Sequence, residues 1–203
     1  MKHLHRDDLF GWSVFDPARN VDFHGTCLVR EGGCVLIDPL PLSPHDLEHV
    51  KSLGGVSQIA VTNSDHTRAA AELAAIFDAP IAGPSAESEG FPIEIARWLS
   101  EGDELVPGLV TLEMHGSKTP GELAFLLEGS TLITGDLIRG QRGGRLNLLP
   151  DAKLTDRPAV YGSVRRLLTF EHLEAVIVGD GWPVFRGGRA AIAEIIVSLT
   201  RQT

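Results

Sequence analysis

Near the start of the chain, apolar and polar residues alternate with the period of β-strands. Turn residues at Asp16-Pro17 and Gly32-Gly33 separate three such runs and predict an antiparallel opening, with strands at 10–15, 23–30 and 34–38. Further apolar runs predict the later strands, with Gly129 joining two of them in a hairpin. These later strands lie at 57–62, near Ile81, and at 109–114, 122–128, 131–134 and 173–178.

Helical periodicity appears between these strands. Ser43-Pro44-His45-Asp46 supplies an N-cap, a proline at the first helical position and an acidic first turn, and apolar residues then recur at helical spacing up to Gly54-Gly55. Other predicted helices cover 67–77, 159–170 and 189–199. The stretch 93–99 is ambiguous.

The order of elements predicts one α/β (α+β) domain over residues 1–203. Two β-rich halves with helices on their outer faces would bury this pattern as an αββα four-layer sandwich. Loops at one edge of the sheets would then converge on a site.

Composition agrees with an ordinary globular enzyme or binding protein. The chain has 43% hydrophobic and 22% charged residues, which is not typical of disorder. Its formal net charge of −9 argues against a general nucleic-acid surface, which needs clustered cations. No membrane-spanning run is present and the N-terminus lacks an apolar signal region, so we expect a cytoplasmic protein. The oligomeric state is open.

Cys27 and Cys34 are the only cysteines, and both fall in apolar, strand-like runs. A hairpin could bring them together, but in a chain without a secretion signal two buried, reduced thiols are the commoner outcome.

Acidic motifs follow three of the predicted strands: Asn63-Ser64-Asp65-His66, Gly135-Asp136 and Gly179-Asp180-Gly181. A lone aspartate after a strand is usually a helix cap or turn former. Three such motifs, one beside a histidine, indicate a functional site, because strand ends are where sites form in α/β folds.

These motifs and two others resemble, in order and across most of the chain, the metallo-β-lactamase superfamily. Its buried aspartate after the second strand, its H-x-H-x-D-H loop, its P-G-H-[ST]-P-G segment, its T-G-D and its G-H-G have counterparts here. In the same order, these counterparts are Cys34 to Asp38, Val61 to His66, Gly116 to Gly121, Leu132 to Asp136, and Val178 to Gly181.

The resemblance implies a site for one metal ion at most. Val61, Asn63 and Lys118 stand where that family has the three histidines of its first metal site, and none of these side chains is a good zinc ligand. The second set is present as three carboxylates and one imidazole, a complete ligand count for one divalent ion. Its residues are Asp65, His66, Asp136 and Asp180.

The resemblance therefore implies a metal-dependent hydrolase acting on a small-molecule substrate with an ester, thioester, amide or phosphoester-type bond. Zn²⁺ is the expected ion, with Mn²⁺, Fe²⁺ or Mg²⁺ as alternatives for a carboxylate-rich site. Asp65 would orient or deprotonate a metal-bound water, and Lys118 would stabilise the developing negative charge. Three carboxylates would be balanced by the divalent ion and Lys118 together.

A metal-free alternative stays open, because fold does not fix function. Lys118 could pair with Asp136 and Asp180 in a dry network, in a binding protein or a catalytically silent relative.

Several other residues have an ordinary and a functional interpretation. His24 is either a strand histidine or a hydrogen-bond donor in the site, and His115 could replace a missing ligand if its loop is shifted. Trp182 either walls the site or packs in the core. The cluster Arg139, Arg142 and Arg145 is interpreted as a mobile loop, either solvated or able to meet an anionic substrate.

Overall fold

The structure is a computed structural model that describes residues 1–200. They divide into two compact units, Met1–Leu99 and the part of the chain that begins at Ser100. The single domain predicted for residues 1–203 stays a prediction. Among the described residues, no helix is both long and apolar enough to cross a lipid bilayer.

The first unit is built on a seven-stranded sheet whose strands follow chain order. Neighbours from β1 to β4 are antiparallel, and neighbours from β4 to β7 are parallel. The strands are β1 (Lys2–His3), β2 (Leu9–Asp16), β3 (Val21–Arg30), β4 (Gly33–Ile37), β5 (Val56–Ala60), β6 (Ile81–Pro84) and β7 (Arg97–Leu99).

Two helices make parallel crossovers in this unit: α1 (Pro44–Ser52) leads from β4 to β5, and α2 (Ala70–Phe77) leads from β5 to β6. Ser43 caps α1 as predicted, because its Oγ accepts the Asp46 N–H at 3.1 Å. The short 3-10 helices Ser64–His66 and Ser85–Glu87 follow the ends of β5 and β6. Apolar residues of β2 to β6, α1 and α2 form the core of this unit.

The second unit has a five-stranded sheet of order β14-β11-β10-β9-β8. Only the β11–β14 pair is parallel. The strands are β8 (Glu104–Val106), β9 (Leu109–Glu113), β10 (Leu123–Leu127), β11 (Thr131–Thr134) and β14 (Ala175–Ile177). Helices α3 (Arg157–Arg166) and α4 (Gly188–Thr200) share a hydrophobic core with this sheet. The 3-10 helices Asp151–Lys153 and Leu167–Thr169 flank α3.

One prediction was wrong in this unit. The arginine- and glycine-rich stretch is not a loop but a two-stranded ribbon, β12 (Ile138–Arg142) and β13 (Arg145–Leu148). Ile138 and Leu146 anchor it in the hydrophobic core, which fixes a segment whose polar residues alone indicate a loop.

The remaining element predictions are confirmed within a few residues, including the antiparallel opening and the hairpin at Gly129. The ambiguous stretch before residue 100 ends in the short strand β7. Helix α2 begins at Ala70 rather than near Thr67, because Arg68 has a left-handed backbone (φ 37°) that no α-helix accepts.

Candidate functional site

In the first unit, chemistry concentrates where two parallel strands end side by side. Asp38 directly follows β4, and Thr62 and His66 follow β5. Carboxyl ends of neighbouring parallel strands meet at one sheet edge, which brings these side chains together. Asp38, Thr62, His66 and Arg68 form the cluster that we call the His66 network.

Asp38 is the acceptor at the centre of the His66 network. Its carboxylate is 3% exposed and accepts hydrogen bonds from the Thr62 N–H and the Thr62 hydroxyl, each at 2.7 Å. Nδ1 of His66 lies 2.7 Å from the second carboxylate oxygen. These contacts orient the imidazole ring rigidly.

Arg68 occupies the other side of the His66 ring. Its Nη2 lies 3.2 Å from Nε2 of His66, and its Nη1 donates to the carbonyl oxygens of His24 (2.8 Å) and Asp38 (3.1 Å). A guanidinium can only donate, so Nε2 of His66 is the acceptor and Nδ1 carries the proton given to Asp38. The lone pair with which His66 would bind a metal is therefore directed at a cation.

Backbone strain accompanies this arrangement. Asp38 (φ 46°) and Arg68 (φ 37°) are both non-glycine residues in the left-handed region. Such conformations cost about 1–3 kcal/mol each and concentrate at functional sites. Sequence reasoning missed Arg68, since nothing in its neighbourhood distinguishes it from a helix residue.

The predicted ligand loop has mostly structural contacts. Val61 is fully buried in the hydrophobic core, and Asn63 caps the following 3-10 helix, because its Oδ1 accepts the Asp65 N–H at 3.0 Å. The side chain of Asp65 is exposed, whereas that of His66 is buried. The buried acid Glu87 holds the loop by accepting the Ser64 N–H at 2.9 Å.

In the second unit, a cluster of charged side chains likewise lies where two parallel strands, β11 and β14, end side by side. These strands are parallel neighbours, and Asp136 and Asp180 follow them. Both carboxylates are buried, at 2% exposure each. Together with Lys118 and Arg139 they form the cluster that we call the Asp136 network.

Two cations hold the two carboxylates of the Asp136 network. Arg139 Nη2 lies 2.7 Å from Asp136 Oδ1 and 2.8 Å from Asp180 Oδ2, so one guanidinium bridges both acids. Lys118 Nζ lies 2.7 Å from the other Asp136 oxygen. Two negative and two positive charges meet here, and the network is neutral without a metal ion.

Glu122 connects the segments that carry Lys118 and Asp136. It is 1% exposed, and its carboxylate accepts a short hydrogen bond from the Ser117 hydroxyl and another from the Leu137 N–H at 2.7 Å. Ser117 directly precedes Lys118 in the chain, and Leu137 directly follows Asp136. Glu122 thus fixes the distance between the lysine and aspartate backbones.

Two glycines bring Arg139 to Asp180. The backbone of Gly140 pairs with the Asp180–Trp182 segment through N–H···O bonds of 3.0 Å and 2.6 Å. A Cβ on Gly140 would lie 1.9 Å from the Trp182 carbonyl oxygen, and one on Gly181 would lie 2.4 Å from that of Gly140. Only glycine permits this close backbone approach.

The other predicted candidates lie outside the two networks or at their margin. His24 contributes its carbonyl oxygen to Arg68, and His115 is exposed with Nε2 3.7 Å from Glu113. Trp182 is 62% exposed, so core packing is excluded. Of the other histidines, His3 and His49 lie against the Phe10 ring, His5 is half-buried near the N-terminus, and His45 and His172 are exposed.

The two cysteines lie in the core of the first unit as expected. Both are buried free thiols, diagonal neighbours on β3 and β4. The hydrogen bond with Cys34, followed by burial, raises the pKa of the Cys27 thiol far above its usual range. Cys27 is therefore a packing residue at neutral pH, not a reactive thiolate.

The fold and these strand-end clusters define a class of α/β protein, and comparisons with known proteins agree on that class. A sequence model described as "Metallo-beta-lactamase superfamily" matches residues 1–199. The chain belongs to the metallo-β-lactamase superfamily. No curated protein matches it in sequence.

Solved structures show the same fold. A metallo-beta-lactamase from Pontibacter korlensis superposes with a TM-score of 0.77 at 14% identity, covering 97% of each chain. The DIM-1 metallo-beta-lactamase gives 0.76 at 15% identity, covering 98% of this chain and 95% of the other. The enzyme from Erythrobacter litoralis gives 0.72 at 12% identity, covering 97% and 90%. The predicted fold class is thereby confirmed.

A metal ion is the group that the family's name implies, and the chain has residues of the right types. His66, Asp136 and Asp180 are buried and offer the donor atoms that divalent metals bind. Their present partners do not suit an ion, however. A cation placed on Asp136 or Asp180 would meet Lys118 or Arg139, and one placed on Nε2 of His66 would meet Arg68. As arranged, the residues do not fit a resident metal.

Proposed function

We propose that this chain is a metal-free member of the superfamily that binds a small molecule and does not carry out metal-dependent hydrolysis. The observation that carries the proposal is the Arg139 guanidinium, which bridges Asp136 and Asp180. In this proposal, side-chain cations have replaced the metal.

Charge balance supports the proposal. A buried carboxylate needs a compensating charge, and Lys118 and Arg139 supply one for each acid of the Asp136 network. A divalent ion added to this network would leave two uncompensated positive charges. Binding would require Arg139 to leave two short ion pairs.

The His66 network supports it independently. A metal-binding histidine usually donates one ring N–H to a carboxylate and gives the other nitrogen to the ion. His66 keeps the first half of that pattern with Asp38. The second half is replaced by Arg68.

A second candidate is the metal-dependent hydrolase that the sequence resemblance implies. The buried donors His66, Asp136 and Asp180 favour it. It would use one ion, Zn²⁺ or alternatively Mn²⁺, Fe²⁺ or Mg²⁺, with Asp65 as a further ligand and Asp65 and Lys118 as catalytic residues. A cytoplasmic location and a small-molecule partner are expected for both candidates.

Metal analysis of untagged protein separates the two candidates. The metal-free proposal predicts far less than one ion per chain, and no thermal stabilisation by Zn²⁺ or Mn²⁺. A resident ion would stabilise the folded state by mass action, about 2.7 kcal/mol at a hundredfold excess over its Kd. Stoichiometric metal that Asp136→Ala removes would refute the proposal and establish the second candidate.

A further inference from the structure

The ribbon of β12 and β13 carries an unusual concentration of positive charge. The whole chain has a formal net charge of −9, yet no Asp or Glu occurs from Leu137 to Pro150. The segment that pairs with the ribbon, from Gly181 onward, also lacks acids until Glu194. A local basic surface therefore lies on an acidic protein.

Two arginines of the ribbon are placed against each other. Arg142 and Arg145 are partners across its two-residue turn, and both are exposed. Like charges directly opposite on neighbouring strands are destabilising. Within residues 1–200 no carboxylate forms an ion pair with either guanidinium. The pair is suited to an external anion.

An exposed aromatic residue adjoins this charge. Trp182 is 62% exposed, although tryptophan is mostly buried in folded proteins. Its backbone N–H donates to the Gly140 carbonyl oxygen at 2.6 Å, so an isolated β-bridge holds the Trp182 backbone beside the ribbon. The glycine crossing at Gly140 and Gly181 fixes this position. We call Arg142, Arg145 and Trp182 the ribbon surface.

We infer that the ribbon surface binds a planar aromatic group bearing a phosphate. The indole offers a stacking face, and the paired guanidinium groups offer bidentate donors that match phosphate geometry. Arg139 already bridges Asp136 and Asp180, and thus the anion is bound by the two outer arginines. The inference rests on the proposed function, because it names the ligand class of a metal-free binding protein.

A binding titration of the full chain with 1-naphthyl phosphate tests the inference. EDTA is present throughout, and the metal content of each sample is measured beforehand. We expect 1-naphthol and inorganic phosphate each to bind at least about tenfold more weakly than 1-naphthyl phosphate, since each lacks one of the two contacts. Affinity should fall with added salt.

Two variants and their controls locate the binding. Trp182→Ala and the double variant Arg142→Gln/Arg145→Gln should each weaken binding by about tenfold or more, because each removes one class of contact. Phe15→Ala removes another exposed aromatic residue and Arg19→Gln/Arg165→Gln other exposed cations, and both controls should bind like the wild type.

The outcomes separate this inference from the metal question. If the wild type does not bind the probe, or binds it no better than the two ribbon variants do, the inference is overturned. If the protein contains stoichiometric metal and still binds the probe through Trp182 and the arginines with EDTA present, the ribbon surface stands and only its metal-free setting falls.

Discussion

Arg139→Met tests the guanidinium that bridges the two acids of the Asp136 network. The substitution keeps much of the side-chain volume but removes the charge that bridges Asp136 and Asp180, both 2% exposed. Asp180 then loses this guanidinium, while Asp136 keeps Lys118. We expect a large loss of stability because two buried carboxylates then share one cation fewer.

The magnitude follows from burial. Breaking a buried ion pair costs about 3–5 kcal/mol. The Arg139 side chain is 13% exposed, so water can partly replace it, and Lys118 remains, which places the expected loss near the lower end. With a urea m-value of about 2 kcal/mol per M, a loss of about 3 kcal/mol lowers the unfolding midpoint by about 1.5 M.

Urea unfolding followed by circular dichroism measures this loss, and a triple variant supplies the control. Asp136→Asn/Asp180→Asn/Arg139→Met removes the acids together with the arginine and should recover much of the lost stability, because both buried carboxylates become neutral amides and the remaining cation, Lys118, is 23% exposed to water. A loss under about 1 kcal/mol, or no recovery in the triple variant, would refute the reasoning.

Three further predictions concern the supports of the networks and the surface of the first unit. Glu122→Gln should cost about 1–3 kcal/mol of unfolding free energy, measured by urea titration, because Ser117 and Leu137 donate to different carboxylate oxygens and the amide replaces one of these oxygens with a donor NH2 group. A cost no larger than that of Ser117→Ala would contradict this. Gly140→Ala should weaken folding and lower the melting temperature, since its Cβ would meet backbone at 1.9 Å, whereas Gly143→Ala, which meets nothing within 4 Å, should not. The hydrogen bond from Arg6, aided by Arg30, holds the pKa of Asp8 well below its usual range. The Asp8 carboxylate therefore stabilises the folded state above about pH 4, and this stabilisation is lost as pH falls further. Asp8→Asn should cost about 1 kcal/mol of unfolding free energy at pH 7, and a difference from wild type that persists unchanged at low pH would contradict the assignment.

The fold was largely predictable because each signal was local. Alternation marked the strands β2, β3 and β4, and Ser43 marked the start of α1. The strand-end aspartates were also predictable, since Asp136 and Asp180 each follow a short apolar run. Their proximity within the second unit follows from β11 and β14 being parallel neighbours.

The partners of those aspartates were less predictable. Arg139 lies in a glycine-rich stretch that indicates a loop, and its contact with Asp180 depends on the backbone crossing of Gly140 and Gly181. No single-sequence pattern reveals such a crossing. Arg68 was missed for a similar reason, because its contact with His66 depends on a left-handed backbone.

These two arginines alter the charge balance expected from sequence. With Lys118 as the only cation, the charge count from sequence predicted a divalent metal ion beside the carboxylates. With Arg139 included, Asp136 and Asp180 are matched by two side-chain cations. Sequence spacing does not show that the long side chain of Arg139 contacts Asp180.

The proposal that side-chain cations replace the metal is tested most directly by asking whether the protein gains Zn²⁺ binding when those cations are removed. Calorimetric titration with Zn²⁺ compares the wild type with Lys118→Ala/Arg139→Ala, which removes both cations of the Asp136 network. Lys118→Ala alone is measured as well, because the double variant loses three ion pairs and the single variant loses one. Arg19→Ala/Lys51→Ala removes two other cations as the matched control. We predict no binding by the wild type or the control and measurable Zn²⁺ binding once the cations are removed. Tight binding by the wild type that the substitutions do not increase would contradict the account.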